Sequence, residues 1–481
     1  MAGVFQDHRN YVHVGPSPAK LEGRIAAGTA IKAVTATPEQ MLALHARHPE
    51  RYPALLESAA QADCAATALA GNRFDILFAF PGERLTLNGR GELSEPGDGN
   101  FLRALDRWWL REQLAAPLHQ HLPFTGGWLM FLGYELAQQI EPRLQRGARS
   151  TGPMAQAIRV PAAIVHQRGS GDAWIVAESG AAALVEEIAA DLHNAMPLAE
   201  PLSEALCMEV REDPPELYLH AVERALEYIA AGDIYQANLS RGWTAQLHAG
   251  VEPVHLYQRL RRTNPGPFAG LAVIDGQSLV SSSPERLIEV RNGWAATRPI
   301  AGTRPRGTDR NTDMDLVREL RAHPKERAEH VMLIDLERND LGRVCEAGTV
   351  QVDEFMTIES YAHVHHIVSN VRGRLRPEAT PGEILAAVFP GGTITGCPKV
   401  RCMQIIAELE AGPRGAYTGS LGYLNRDGSM DFNILIRSLE MRGSEVKLRA
   451  GAGIVADSEP SRELAEARAK ARGVLRALGP A

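Results

Sequence analysis

Apolar residues recur at helical spacing in ELYLHAVERALEYIAAG, which predicts a helix from Glu216 that stops at Gly232, a residue suited to the left-handed turn after a helix. The next stretch, DIYQANLSRGWTAQL, switches to strand-like alternation, with Gln236 and Asn238 on one face and Tyr235 and Ala237 on the other. Amides on an inward face need partners, so that face either meets solvent or lines a polar pocket. Earlier in the chain the same reading gives strands in RFDILFAFP (73–81) and PFTGGWLMFLGYELA (123–137). A hairpin in PAAIVHQRGSGDAWIVAE (161–178) turns at GSGD, and AAALVEEIAADLH (181–193) is an amphipathic helix. Periodicity lapses from Met196 to about Pro215, marking a junction between residues 1–205 and 206–481.

Two later helices carry paired carboxylates. PKERAEHVMLIDLERNDLGRV opens at Pro324 and places Glu326 and Glu329 on one face. RAGAGIVADSEPSRELAEARAK passes from the small residues Gly451, Ala452 and Gly453, where a ligand could approach the main chain, into a second helix. Ser458 is its expected cap, Pro460 lies in its first turn, and Glu463, Glu466 and Lys470 share a stripe. One ExxE alone reads as a solvated helix face; two that converge require a cation. FPGGTITGCPKVRCMQIIAELE leads a Gly- and Thr-rich loop into a helix beginning at Pro398. Free N–H groups there, with the Thr393 and Thr395 hydroxyls, suit an anion, although the spacing is not that of a nucleotide-binding GxxxxGK[ST] loop.

Composition narrows the partners. A net charge of −7, from 51 basic and 58 acidic residues, argues against a nucleic-acid partner. Lysine is rare, and Lys325, Lys399 and Lys470 all fall inside the stretches above. Five scattered cysteines without a CxxC pair indicate a reducing compartment. No apolar run is long enough for a membrane span and the opening MAGVFQDHRN lacks a signal-peptide pattern, so no membrane association and a cytoplasmic location are expected.

GDIYQANLSR, RPIAGTRPRG, PKERAEHVMLIDLERNDLGRV, HVHHIVSNVRG, FPGGTITGCPKVR, AYTGSLGY, MDFNILIRSL and RAGAGIVADSEPSRELAE follow one another in order. Together they resemble the chorismate-utilising enzymes, densely over the second half and loosely over the first. The resemblance implies an α+β fold, a large two-sheet antiparallel sandwich with peripheral helices. It implies a Mg²⁺ held by Glu326, Glu329, Glu463 and Glu466. Thr393, Tyr417, Arg437, Gly451, Ala452, Gly453 and Lys470 would contact chorismate, and His366, Glu329, Gln236 and Thr303 would form the catalytic set.

Members that add water resemble one another in having Lys where this chain has Gln236, so the chain resembles the branches that add ammonia. SSSPERL, NPGPF (264–268), AHVHH and GGTITGCPK look like aminodeoxychorismate synthase component I. Ala301 in PIAGT, where that branch has a covalent-bonding lysine, is shared with anthranilate synthase component I, the alternative. A non-catalytic ligand-binding relative ranks below both, because the glutamates, His366, Arg437 and Lys470 are all present. No GxCxG glutaminase nucleophile occurs, so the resemblance implies ammonia from a glutamine amidotransferase subunit or from solution. LLES (55–58) resembles a tryptophan-binding segment, so Leu56, Glu57 and Ser58 are a possible tryptophan site.

Overall fold

The protein is described by a computed structural model over residues 29–59, 74–114, 121–144, 150, 152–202, 204–361 and 364–479. The opening of the chain and Cys64 lie outside the described residues. Alternating and apolar runs form two antiparallel sheets, one of 12 strands and one of 10. The 161–178 hairpin forms as Ala162–Gln167 and Ala173–Glu178, and the helix after it spans Leu184–His193.

Each sheet joins a block of strands from the first half of the chain to a block from the second half at a single seam. Ala54–Glu57 pairs with Phe268–Ile274 in the first, and Gly127–Leu132 pairs with Ser420–Asn425 in the second. The polar stretch after Met196 contains the strand Cys207–Glu212, which pairs with Gln236–Leu247 and so belongs to the first sheet. Between the sheets lies an apolar layer in which Phe78, Phe124, Phe131, Leu421 and Leu435 are buried. Phe78 and Phe124 meet edge to face at 4.9 Å, and burying each such ring contributes about 1.5–3 kcal/mol. Helices cover the outer faces over two further clusters, so the α+β sandwich with peripheral helices is the observed architecture.

Three strands and three helices carry the residues singled out in the sequence. Strand Gln236–Leu247 pairs along its length with Glu445–Ile454, setting Asn238 opposite Gly453 and Ser240 opposite Gly451. Its first residues also pair with the short strand Gly396–Cys397. Helix Pro324–Gly342 starts at its proline, with the His323 ring accepting from the Glu326 amide at 3.5 Å. In helix Pro460–Leu475 the position before the first turn is held by Glu459, which makes no side-chain cap, and not by Ser458, whose hydroxyl accepts from the Val455 amide at 3.1 Å. The helix after the threonine loop runs Lys399–Leu409, with Pro398 just outside it.

Candidate active site

The two ExxE helices converge. Glu329 is partly buried, and its pKa is raised by burial and by the negative charges of Glu326, Glu466 and Glu463. Glu463 is raised by burial and by Glu466, and it also feels Lys470 and Lys325. Carboxylates from helices over a hundred residues apart therefore sense one another. Three of the four keep a local ion-pair partner: Arg304 lies 3.2 Å from Glu326, Lys325 4.0 Å from Glu329, and Lys470 2.6 Å from Glu466. Among the described residues no group of three or more His, Cys, Asp or Glu side chains is gathered so as to hold a metal ion by itself. This donor set fits Mg²⁺, which takes few carboxylates and completes its shell with water and substrate oxygens.

Gly302 brings the second sheet to this cluster. It sits at a bulge in Ile300–Pro305 with φ +63°, and a β-carbon there would lie 2.9 Å from a Glu326 oxygen. The bulge sets Thr303 opposite His366, and Thr303 Oγ1 lies 2.9 Å from His366 Nδ1. Burial pulls the His366 pKa down to about 4, so at neutral pH the ring is uncharged. Tyr361 meets it edge-on at 6.0 Å.

Cations and hydroxyls face the carboxylates. Arg437, at φ +55°, has no side-chain hydrogen bond or ion pair with a described residue. Burial lowers its pKa, while Tyr417, Glu285 and Glu466 act on it electrostatically. A half-buried guanidinium without a protein partner is one that a substrate carboxylate would satisfy. Tyr417 is buried beneath Arg414, whose guanidinium lies 5.6 Å from the ring centre and is fixed by Glu410 at 2.6 Å. Thr393 Oγ1 is buried without a hydrogen-bond partner, whereas Thr395 Oγ1 donates to the Gly391 carbonyl at 2.9 Å and so serves the loop itself.

Of the two readings of the Gln236 strand face, solvent is excluded at Gln236, while Tyr235 lies just outside the strand and is exposed. Gln236 is 8% exposed, and its amide oxygen and that of Asn238 are both buried without a partner. Gly453 leaves room for the Gln236 side chain: a β-carbon there would lie 2.3 Å from Nε2. At Gly451 a β-carbon would meet the Leu239 carbonyl at 2.0 Å. These glycines thus first admit protein atoms. The side chain of Ala452 lies in an apolar cluster with Leu464 and Ala467, away from the polar pocket.

Glu285 was missed from sequence. It is 5% exposed and its pKa is raised to about 7 by burial, with Thr393, Arg437 and Lys470 close enough to oppose the shift. Thr393 and Glu285 stand side by side without hydrogen-bond geometry, leaving Glu285 Oε1 orphaned as well. The available signal was one carboxylate following three small hydroxyl residues in SSSPERL.

Leu56, Glu57 and Ser58 line a separate cavity of about 410 Å³ between the sheets, with Phe74, Phe268 and Tyr361. Within it Glu57 is committed to structure, accepting from Tyr257 at 2.6 Å and from Arg168 and Arg261 at 3.0 Å.

Comparison with known proteins places the sequence and the fold. The profile of the chorismate binding enzyme family covers residues 63–476. An anthranilate synthase component I-like protein of Synechocystis is 42% identical over 76% of this chain and 75% of its own length. Aminodeoxychorismate synthase component 1 of Bacillus subtilis is 39% identical over 79% of this chain and 83% of its own. The crystal structure of anthranilate synthase component I from Streptococcus pneumoniae superposes with a TM-score of 0.75 at 30% identity, covering 84% of this chain and 92% of that one. Among the described residues no helix is long and apolar enough to cross a membrane. With the profile spanning most of its length, the chain belongs to the chorismate binding enzyme family.

Proposed function

We propose that the protein is the synthase component of an aminodeoxychorismate synthase, aminating chorismate to 4-amino-4-deoxychorismate on the route to p-aminobenzoate and folate. Gln236, a buried amide with an unpartnered oxygen where a water-activating base would otherwise stand, supports ammonia as the nucleophile, and SSSPERL and GGTITGCPK support the aminodeoxychorismate branch. An amide oxygen accepts a hydrogen bond from ammonia but cannot deprotonate water. Ammonia from a glutamine amidotransferase subunit, and a cytoplasmic setting, complete the proposal.

Arg437, Lys470, Tyr417 and Thr393 bind and orient the two substrate carboxylates. Glu326, Glu329, Glu463 and Glu466 would hold Mg²⁺, which when bound supplies Lewis-acid polarisation of the substrate. Glu285, raised to about 7, is protonated in about half of the molecules at neutral pH. As the ring C–O bond breaks, the departing hydroxide takes that proton and leaves as water. The ammonia lone pair forms the C–N bond, and the resulting ammonium returns a proton to Glu285. Neutral His366, fixed through Nδ1 by Thr303, offers Nε2 to the ring substituents.

Anthranilate synthesis is the second reading, favoured by Ala301, a buried methyl group that cannot form a covalent bond to the ring. Incubation with chorismate, ammonium and Mg²⁺ decides between them. Aminodeoxychorismate, converted to p-aminobenzoate by added lyase, is expected; anthranilate with pyruvate would overturn the proposal. Tryptophan bound beside Leu56 and Ser58 is proposed as a further ligand of the inter-sheet cavity.

A further inference from the structure

Lys399 is one of only six lysines, and nothing in the chemistry above uses it. It opens the helix Lys399–Leu409, directly after the loop that presents Thr393. Its ammonium donates to Asp340 on helix Pro324–Gly342 and lies 3.5 Å from the Val388 carbonyl, at the end of helix Pro381–Val388. Both charged side chains are largely buried, at 14% and 10% exposure.

The loop is tied on its other sides as well. A β-carbon on Gly392 would lie 3.3 Å from Leu336 and 3.7 Å from Glu337 Oε1, so the turn Gly392–Ile394 rests on the same helix as Asp340. Beyond that turn, Gly396 and Cys397 pair with Ala237 and Gln236. Asp340 follows Glu329 by eleven residues, about 16 Å along the helix axis. One ion pair thus joins the helix of Glu326 and Glu329 to the loop of Thr393, and through it to the strand of Gln236.

We propose that Lys399 and Asp340 form a positioning latch that holds the loop Gly391–Pro398 at the height at which Thr393 reaches the substrate. A buried ion pair is a poor source of stability, since apolar residues of similar volume often serve as well or better. What it supplies is direction: the ammonium must meet both the carboxylate and the Val388 carbonyl, which fixes where the following helix begins. The latch rests on the assignment of this loop to chorismate binding and not on which product is formed.

The test measures the chorismate dissociation constant by titration calorimetry with Mg²⁺, together with Tm, for Lys399→Met, Asp340→Leu and the double variant. Each single change strands a buried charge, so each is expected to lower Tm and to weaken chorismate binding by at least about tenfold. The double variant leaves no stranded partner in this pair and is expected to recover most of the Tm while binding remains about tenfold weaker. A structural role alone predicts that binding recovers with Tm. Double-variant affinity within about twofold of the unaltered protein would overturn the latch, as would an unchanged dissociation constant in Lys399→Met. Lys447→Met, at an exposed lysine paired with Glu445, is the control and is expected to change neither quantity. Production of anthranilate by the unaltered protein would refute the product assignment and leave the binding comparison intact.

Discussion

The amide nitrogen of Gln236 occupies the space that a β-carbon on Gly453 would fill, 2.3 Å away, on the neighbouring strand. The obstruction is the end of a flexible side chain, so Gly453→Ala should fold nearly normally but displace the Gln236 amide. A shift of about 1 Å in a reacting group costs up to about a hundredfold in rate. Ammonia-dependent turnover is therefore expected to fall by roughly 10- to 100-fold with a small change in Tm; full activity in a folded Ala variant would remove Gln236 from the chemistry.

Glu285 sets a pH dependence. Its carboxyl, pushed up to about 7, donates only when protonated, so turnover is expected to decline as pH rises through that value. The same shift acts on stability with a definite sign. The folded protein keeps a proton that the unfolded chain releases above its ordinary value of 4.5, so this group's contribution is full below that value and is lost as pH rises to about 7. Glu285→Gln should abolish the alkaline limb of the rate profile and flatten stability across the same window. A pH–rate profile in that variant parallel to the unaltered one would assign the proton to another group.

Metal binding can be read without turnover. Burial and, after it, repulsion from neighbouring glutamates raise Glu329 and Glu463, and a cation between the helices would relieve the repulsion. Mg²⁺ is expected to raise Tm in the unaltered protein, and Glu329→Gln combined with Glu466→Gln to weaken that response by at least about tenfold in Mg²⁺ concentration. The same change should lower Mg²⁺-dependent turnover. Equal Tm responses in both proteins would dissociate these glutamates from the metal.

The inter-sheet cavity gives a fourth expectation. Tryptophan at about 100 times its dissociation constant should stabilise the folded state by about 2.7 kcal/mol, visible as a rise in Tm. A flat Tm and constant activity across the titration would leave Leu56 and Ser58 without that ligand.

Local features of the site were legible in the sequence, and convergent ones were not. Glu326 with Glu329 and Glu463 with Glu466 follow from helical spacing alone, and the shared face of Gln236 and Asn238 from alternation. That the two helices meet depends on two large sheets whose strand order no local pattern encodes. Glu285 escaped notice because its role comes from depth of burial beside Arg437 and Lys470, which neighbouring residues do not announce. Ser458 and Thr395 were over-read for a single reason. Each has the right chemistry for a cap or an anion, but spends it on nearby main chain, at Val455 and Gly391. Ala452 looked like part of a bare ligand surface, yet successive residues of a strand point to opposite faces, and its side chain falls on the apolar one.

The pairing of Ala54–Glu57 with Phe268–Ile274, and of Gly127–Leu132 with Ser420–Asn425, bears on how the protein is made. Neither sheet can close until residues near the end of the chain leave the ribosome, so early strands spend much of synthesis with unpaired edges. Such long-range closure slows folding and exposes strands to association with other chains. Expressed alone, residues 206–481 would carry the whole acid and base set together with open edges at Phe268–Ile274 and Ser420–Asn425, and would self-associate before they could catalyse.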